Sequence, residues 1–313
     1  MRPKVLVAGI PTETSTATVL GQLARMGAFT FVLNQREIAG CDLLFRTDRS
    51  HAHRIVTPND KAWLSDLKGA YLRLMDYRYL PEVEADTSGG GLLAHAIDVH
   101  TKLAAWANTS PSRVVNPPAS MLSNASKPFQ AQLLRAGGFH VPDTVVTDDP
   151  NVVIEFAHRH PDPIYKSISS NRSIVRRLTP ESWRRLGDVS ASPTQFQEYI
   201  PGIDVRVHVV GRQYIAVAIY TDAVDYRYAA RDGLDVRMDP FDEMPELGAR
   251  CVAFASALAL PLAGFDFRIT SDGTAFCLEV NPMPMFSFYE ERSRQRIAEL
   301  IATYIVGDRN GQN

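Results

Sequence analysis

One segment, residues 264–281, constrains this chain more than any other part of its sequence. It reads G-F-D-F-R, then a Ser-Asp-Gly turn at 271–273, then C-L-E-V-N. Apolar residues that alternate on both sides of a short turn predict the two strands of a β-hairpin. Asp266, Glu279 and Asn281 are the polar residues with oxygen ligands inside these strands. The segment therefore predicts a hairpin that carries a polar site.

Strand alternation predicts where these polar side chains lie. Because successive side chains of a strand project to opposite faces, we expect Glu279 and Asn281 on one face. Leu278 and Val280 are expected on the other face, and the hairpin brings Asp266 beside the polar pair. Two carboxylates and an amide oxygen suit Mg²⁺, which prefers oxygen ligands and keeps positions open for phosphate oxygens. The alternative is a hairpin whose acidic side chains simply face water, as charged side chains mostly do.

Size and composition limit the possible functions. A chain of 313 residues is expected to form two or three compact units. Its net charge of −2 argues against nucleic-acid binding, which calls for a strongly basic surface. Three widely separated cysteines predict buried thiols in a reducing compartment. The first apolar run is too short for a signal peptide, and no run reaches the ~20 apolar residues of a membrane span. We therefore expect a cytoplasmic protein without membrane contact.

Lysine is rare in this chain, and two lysines lie inside structured patterns. None follows Lys166, which lies in a predicted apolar strand, where an ammonium group is costly unless an anion pairs with it. The polar run after it contains Ser169 and Arg172, whose donors could cover phosphate groups. Lys127 opens a predicted helix, where the macrodipole disfavours a cation unless an anion is near. An ordinary exposed side chain is the alternative for each lysine.

The pattern of strands and helices predicts three regions. The first alternates strands with helices, which is typical of an open βαβ-type sheet. The two prolines of N-P-P at 116–118 favour an extended connector after it. A strand is predicted at 196–200 and a single terminal helix at 288–305. The predicted domains are 1–115, 116–195 and 196–313.

Six short motifs follow one another along the chain. They are Lys127, Lys166, Q-E-Y-I at 197–200, D-V-R at 204–206, Asp266 and E-V-N at 279–281. Their order and spacing resemble those of ATP-grasp ligases, closest to the RimK and glutathione-synthetase-like branch. The resemblance covers residues 115–300. It implies an α/β (α+β) ATP-grasp fold preceded by a pre-ATP-grasp open-sheet domain.

The resemblance also implies roles for individual residues. ATP and Mg²⁺ would be the cofactors, with Asp266, Glu279 and Asn281 holding the Mg²⁺ that bridges the β- and γ-phosphates. Arg206 would lie near the transferred phosphate, and Arg268 would serve catalysis or substrate recognition. The residues implied in nucleotide binding are Lys127, Lys166, Ser169, Arg172, Gln197, Glu198, Tyr199, Ile200 and Asp204.

Within that set, the Q-E-Y-I motif would be the hinge beside the adenine. An extended segment presents one C=O and one N–H, the pair of groups that an adenine edge needs. The backbone of Glu198 and Ile200 would supply them, and Asp204 would lie near the ribose or the substrate.

The implied reaction joins a carboxylate to an amine at the expense of ATP. It proceeds through an acyl phosphate, forms an amide or peptide bond, releases ADP and phosphate, and needs no protein nucleophile. The expected substrate is an amino acid or small peptide. One alternative is a graspetide-type maturase that forms ester or amide crosslinks on a ribosomal precursor peptide. Another is an inactive nucleotide-binding scaffold, which the intact motifs argue against. A homodimer or homotetramer is usual among similar ligases.

Three features depart from the pattern of the resemblance. The loop after Lys166 lacks the glycines common there. The N-P-M-P-M-F sequence after the E-V-N motif differs from the N-P-x-G-Q-W ending of many microviridin-type peptide ligases, which weakens the crosslinking alternative. The segment 220–228 is rich in polar and aromatic residues on the expected acceptor side. Asp225, Tyr226 and Arg227 are therefore candidates for substrate binding, the alternative being a tyrosine-rich edge strand and loop.

Overall fold

The computed structural model describes most of the chain. The described residues are 4–45, 53–87, 89–167, 175–223, 226, 229, 233–293 and 296–307. Four of the predicted site residues, Ser169, Arg172, Asp225 and Arg227, lie outside this set. Among the described helices, none combines the length and hydrophobicity that crossing a lipid bilayer requires.

The first region is built around an open parallel sheet. Its elements are β1 (Lys4–Gly9), α1 (Thr14–Arg25), β2 (Phe29–Asn34), β3 (Asp42–Leu44), β4 (Arg54–Val56), β5 (Lys61–Trp63), β6 (Leu67–Arg73), α2 (Pro81–Glu84), α3 (Gly91–Thr109) and β7 (Arg113–Val115). Strands β1, β2, β6 and β7 run parallel in the order β2-β1-β6-β7, which confirms the predicted open sheet. Strands β3, β4 and β5 form a small antiparallel sheet. The sequence did not indicate β5, because three residues show no clear alternation.

The middle region is an antiparallel sheet with three helices. Its elements are α4 (Lys127–Ala136), β8 (Thr144–Thr147), α5 (Pro150–Arg159), β9 (Ile164–Ser167), β10 (Arg176–Arg177), α6 (Pro180–Arg184) and β11 (Thr194–Gln197). The strands lie in the order β10-β9-β11-β8. The strand predicted at 196–200 begins two residues earlier and ends at Gln197. The Glu198 N–H still donates to Asp143 O at 2.9 Å, next to the last pair of β11 and β8.

The third region is a five-stranded antiparallel sheet. Its elements are β12 (Ile203–Val210), β13 (Gln213–Tyr220), β14 (Arg237–Pro240), α7 (Pro245–Ala257), β15 (Leu262–Ile269), β16 (Ala275–Asn281), α8 (Ser287–Ser293) and α9 (Ile297–Val306). The strand order is β14-β13-β12-β15-β16, so the predicted hairpin of β15 and β16 is confirmed. The single terminal helix predicted at 288–305 is two helices, because Glu290 Oε1 in α8 accepts the Ala298 N–H in the first turn of α9.

Helix α9 returns to the first region and covers its sheet. Residues Val5 and Val7 of β1 pack with Ile301 and Ile305 of α9 in one fully buried cluster. On the opposite face of β1, Leu6 packs in a second cluster that includes Leu103 of α3. Burial on both faces is the usual environment of a parallel sheet.

The strands of each large sheet lie within one predicted domain, with one exception. Strand β11 begins before residue 196, where the third predicted domain starts. The domain division remains a prediction.

The five-stranded sheet has two faces of different character. One face packs Val205 and Val207 of β12 with Phe265 of β15 against Leu247 and Cys251 of α7. These side chains are almost completely buried. Because side chains alternate along a strand, the residues between them must lie on the other face. That other face carries the charged side chains of the sheet.

Candidate active site

The charged face of the five-stranded sheet brings several predicted site residues together. We call it the polar face, and its residues are Asp204, Arg206 and His208 on β12, Asp266 and Arg268 on β15, and Glu279 and Asn281 on β16. The register places Arg206 opposite Asp266 and Asp204 opposite Arg268. It also places Asp266 opposite Glu279. Directly opposed residues of antiparallel strands project from the same face, so the polar face is a consequence of register.

A β-bulge interrupts the alternation of β16. The register shifts beside Asp266, so that Phe267 pairs with Cys277 while Asp266 pairs with Glu279. Leu278 is therefore the additional residue of the bulge. It lines the same cavity as Glu279, whereas Val280 is buried in the core. The expectation that Leu278 shares the apolar face of Val280 is wrong for this reason.

Arg206 and Asp266 form what we call the inner pair. The Arg206 Nη1 to Asp266 Oδ2 distance is 2.6 Å, and the side chains are 5% and 21% exposed. The Arg206 guanidinium also lies 5.6 Å from the ring centroid of Tyr289. The Tyr289 hydroxyl is 2.6 Å from that of Tyr226. Although burial opposes the charged form, Asp266 raises the pKa of Arg206 above its ordinary value, so the guanidinium stays charged.

His208 and Tyr226 complete the surroundings of the inner pair. Arg206 Nε donates to His208 Nε2 at 3.4 Å, and burial together with the Arg206 charge holds the pKa of His208 well below its ordinary value. The imidazole is therefore neutral and can accept this hydrogen bond. Burial and the Asp266 carboxylate raise the pKa of Tyr226 well above its ordinary value, so this hydroxyl remains protonated.

Arg268 and Asp204 form what we call the outer pair. Arg268 Nε lies 3.0 Å from Asp204 Oδ1, and both side chains are 12% exposed. Arg268 Nη1 donates to Gly202 O at 2.6 Å. The same guanidinium lies 5.8 Å from the ring centroid of Tyr199. The Arg177 guanidinium lies 4.0 Å from the same ring centroid. The outer pair thus contacts Tyr199 of the predicted hinge segment.

A cavity of about 200 Å³ lies between α4, the middle sheet and β16. Lys127, Lys166, Gln197 and Glu279 all line it. The predicted phosphate-binding lysines therefore share one cavity with a predicted metal ligand. Of the other hinge residues, Ile200 is buried. The Glu198 carboxylate accepts the Asp143 N–H at 3.1 Å.

Two buried amide side chains hold the backbone next to the polar face. Gln130 Nε2 donates to Val280 O at 2.7 Å, and Gln130 Oε1 accepts the Val280 N–H at 3.0 Å. Asn116 Nδ2 donates to Leu262 O at 2.6 Å and also to Pro282 O. Asn116 Oδ1 accepts the Leu262 N–H at 2.8 Å. Side chains that precede the hairpin in the chain therefore fix the start of β15 and the end of β16.

The donor chemistry of the polar face fits a magnesium ion. Asp266 and Glu279 are directly opposed on adjacent strands, which places their Cβ atoms about 4.5–5.5 Å apart. Asn281 Oδ1 accepts the Met283 N–H at 2.9 Å, which leaves the second lone pair of this oxygen for a cation. These three side chains could hold Mg²⁺ through oxygen atoms alone, and the two lysines of the cavity could bind the phosphates beside it.

Four residues of the site were not found from the sequence: His208, Tyr289, Gln130 and Asn116. His208 could have been found, because it lies two residues after Arg206 in a predicted strand and so shares its face. Asn116 stood out only as part of the proline-containing connector. No local signal marks Gln130 or Tyr289, whose partners lie 150 and 63 residues away in the sequence.

The whole structure is similar to solved ATP-grasp ligases. The macrocyclase MdnC from Microcystis aeruginosa MRC, solved with the precursor peptide MdnA, has a TM-score of 0.82 at 20% identity, over 97% of this chain and 100% of that chain. The ATP-grasp ligase PsnB, solved with a variant of its minimal precursor, Mg and ADP, has a TM-score of 0.81 at 25% identity, over 96% and 97% of the two chains.

A RimK domain ATP-grasp protein from Sphaerobacter thermophilus DSM 20745 is also similar, with a TM-score of 0.54 at 14% identity, over 97% of this chain and 100% of that chain. No protein-family profile and no curated protein sequence matches the chain. The structural matches confirm the predicted α/β ATP-grasp fold and the prediction that the chain is an ATP-grasp ligase.

Proposed function

We propose that this chain is a ligase that crosslinks side chains of a ribosomal precursor peptide. The observation that carries the proposal is its likeness to PsnB, which is 25% identical over nearly the full length of both chains and was solved with its minimal precursor. The first region is part of that likeness, and the first region is where a peptide-modifying ligase would differ from a ligase of free amino acids. The RimK domain protein spans the same length with a much lower TM-score.

The sequence after Asn281 had favoured a ligase of amino acids or small peptides. That argument rests on one short loop. Asn116 and Arg73 both donate hydrogen bonds to carbonyls of this loop, at Pro282 and Pro284. The loop is thus held by the connector and by the first region, and its own sequence can vary while its position is kept. Likeness over the entire chain therefore weighs more than the loop sequence.

The residues of the polar face and the cavity have roles in this proposal. Bound ATP supplies the phosphoryl group that activates a carboxylate, and Mg²⁺ neutralises charge on the phosphates. Asp266, Glu279 and Asn281 hold the metal ion, while Lys127 and Lys166 bind phosphate oxygens across the cavity. The metal ion on one side and the two lysines on the other neutralise the phosphate charges. Charge neutralisation is the main requirement of phosphoryl transfer.

Arg206 acts on the transferred phosphoryl group. Its guanidinium is oriented by Asp266, His208 and Tyr289, so that it is fixed before any substrate binds. A side-chain carboxylate of the peptide attacks the γ-phosphate and ADP leaves. A peptide amine or hydroxyl then attacks the carbonyl carbon, loses its proton and displaces phosphate. An amide or ester crosslink results, and one water is lost overall from the peptide.

The remaining predicted residues support this scheme as part of the same proposal. The 197–200 segment contributes its backbone to the adenine, and Asp204 with Arg268 fixes that segment through Gly202. Tyr226, whose hydroxyl pairs with that of Tyr289, stays a candidate for substrate binding. Ser169 and Arg172 for the phosphates, and Asp225 and Arg227 for the substrate, remain predictions from the sequence.

The test is ADP release with two classes of acceptor. One arm contains any short peptides that neighbouring genes encode, and the other arm contains a library of amino acids and dipeptides. We expect ADP release only with a gene-encoded peptide, together with a product whose mass is lower by one water for each crosslink. Turnover with free amino acids would overturn the proposal in favour of an amino-acid ligase. ADP binding without turnover in either arm would overturn it in favour of a scaffold.

A further inference from the structure

Gln130 makes an unusual contact with the edge strand of the five-stranded sheet. Strand β16 ends the sheet order, so one side of its backbone has no neighbouring strand in that sheet. The Gln130 side chain occupies part of that side. It accepts the Val280 N–H at 3.0 Å and donates to Val280 O at 2.7 Å. A primary amide is suited to this contact because it offers one donor and one acceptor side by side, as a neighbouring peptide group would.

This contact is buried and lies between two predicted metal ligands. Gln130 is 4% exposed and Val280 is 1% exposed. Glu279 precedes Val280 in the chain, and Asn281 follows it. Holding both backbone groups of Val280 therefore fixes the strand from which these two side chains project. A buried backbone donor and acceptor without partners would be costly, so the contact cannot be lost without movement of the strand.

Gln130 lies on the same face of α4 as Lys127. Lys127 and Gln130 are three residues apart on α4, and residues with this spacing lie on one face of a helix. Both line the cavity that Glu279 also lines. Gln130 thus links, by hydrogen bonds, the helix that carries a predicted phosphate-binding lysine and the strand that carries two predicted metal ligands.

We propose that Gln130 is a positioning residue that sets the separation between Lys127 and the Glu279–Asn281 metal ligands. The inference rests on the proposed function, because it assigns nucleotide phosphates to the lysine and Mg²⁺ to the strand. A nucleotide that bridges lysine and metal binds well only when the two stand at a fixed separation. Loss of the link should therefore weaken the part of nucleotide affinity that depends on Mg²⁺.

The chain offers a matched control in Gln35. Gln35 Nε2 donates to Met75 O at 2.9 Å, and Gln35 Oε1 accepts the Met75 N–H at 2.8 Å. Gln35 is completely buried in the first region and is not among the residues that line the cavity. Substituting Met for either glutamine removes its two backbone hydrogen bonds with little change of volume. Gln35→Met also loses the contact of Gln35 Nε2 with His100 Nε2 at 3.0 Å, and of the two glutamines only Gln130 connects α4 to β16.

The experiment measures ADP affinity by calorimetry with and without Mg²⁺ for wild type, Gln130→Met and Gln35→Met. The quantity compared is the factor by which Mg²⁺ tightens ADP binding. In Gln130→Met we expect this factor to fall about tenfold, whereas in Gln35→Met it stays within about twofold of wild type. Thermal unfolding should show a loss of stability in Gln35→Met at least as large as in Gln130→Met, since Gln35→Met loses two backbone hydrogen bonds and also the contact with His100.

A Mg²⁺ factor that is unchanged in Gln130→Met, with reduced thermal stability, would overturn the inference and leave Gln130 as a structural residue. If Gln130→Met does not fold, Gln130→Leu replaces it. Leucine also removes both hydrogen bonds to Val280 and adds no charge, so the factor should again fall about tenfold. An unchanged factor there also overturns the inference. A wild-type protein that binds ADP no more tightly with Mg²⁺ would instead contradict the proposed function itself.

Discussion

The inner pair and the outer pair are the same chemical contact in two different environments. Each joins an arginine to an aspartate across β12 and β15, and the two are adjacent on one face of the sheet. The inner pair lies among Tyr226, Tyr289 and His208, next to the strand that carries Glu279. The outer pair contacts Gly202 and Tyr199.

Under the proposed function, this difference separates a functional contact from a structural one. Removing two charges from water is expensive, and apolar side chains of similar volume often stabilise a fold equally well. Stability alone therefore gives no reason to bury the Arg206 guanidinium so deeply. An arginine held ready for an anionic group does give such a reason. Arg268 instead bridges Asp204 and a backbone carbonyl, which fixes the connection between two sheets.

The largest effect is expected at the strand next to the inner pair. The substitution Glu279→Gln removes one negative charge from the proposed metal site while it keeps the size of the side chain. We expect turnover to fall at least about 100-fold. The melting temperature should stay within about 2 °C of wild type, because Glu279 faces the cavity and not the core.

Glu155→Gln, on the exposed side of α5, is the matched control and should have wild-type turnover. If Glu279→Gln also kept near wild-type turnover, the magnesium site would have to lie elsewhere.

The next effect separates the two pairs directly. In Arg206→Lys the charge remains, but a compact ammonium replaces the planar fork that contacts Asp266 and His208. We expect turnover to fall about 30-fold while the affinity for ADP changes less than about threefold. Steady-state kinetics and calorimetry measure the two quantities. An equal loss of turnover and ADP affinity would contradict a role on the transferred phosphoryl group.

A smaller effect is expected at the outer pair. In Arg268→Lys the ammonium cannot contact Asp204 and Gly202 O in the geometry of the guanidinium. We expect the KM for ATP to rise about threefold, because the hinge segment is less well fixed, while kcat changes less than about twofold. A drop in kcat as large as that of Arg206→Lys would show that the two pairs act together and would remove the distinction between them.

The sequence predicted the parts of the site that depend on local alternation. Asp266 and Glu279 lie on neighbouring strands of a hairpin, so strand period and turn chemistry were enough to place them together. Lys127 and Lys166 were noticed because their positions were costly without an anion, and both line the cavity. The sequence missed the bulge at Leu278, because one additional residue in a strand leaves the apolar pattern almost unchanged.

Contacts between distant segments could not be predicted. Gln130 and Val280 are 150 residues apart, and a single glutamine on a helix face carries no sign of its partner. The surroundings of the inner pair have the same origin. They include Tyr289 and Tyr226, which come from α8 and from a loop after β13.

The smallest effect is expected on the pH dependence of stability. It comes from His208, which contacts Arg206 of the inner pair. In the folded protein, burial and the Arg206 charge hold the pKa of His208 well below its ordinary value of about 6.5. Above about pH 6.5 the imidazole is neutral in both the folded and unfolded states, and its contribution to stability is fully present. As the pH falls below that value, only the unfolded chain takes up the proton, so stability is lost at up to about 1.4 kcal/mol per pH unit.

His208→Asn removes this titration and keeps an acceptor for Arg206 Nε. Between about pH 6.5 and about pH 5 the unfolding free energy of the variant should therefore fall less steeply than that of wild type. The difference in slope should correspond to at most one bound proton. Denaturant unfolding at several pH values measures the slope. The buried carboxyl of Glu290, whose pKa burial raises, acts with the opposite sign, and His100, whose pKa burial lowers, acts with the same sign. Both contributions cancel in the difference between variant and wild type.

Arg268→Lys at the outer pair should keep the wild-type slope, since the guanidinium of Arg268 contacts Asp204 and Gly202 and not the imidazole. A slope that falls equally in both variants would mean that the protonation of His208 is coupled to the whole polar face and not to the inner pair alone.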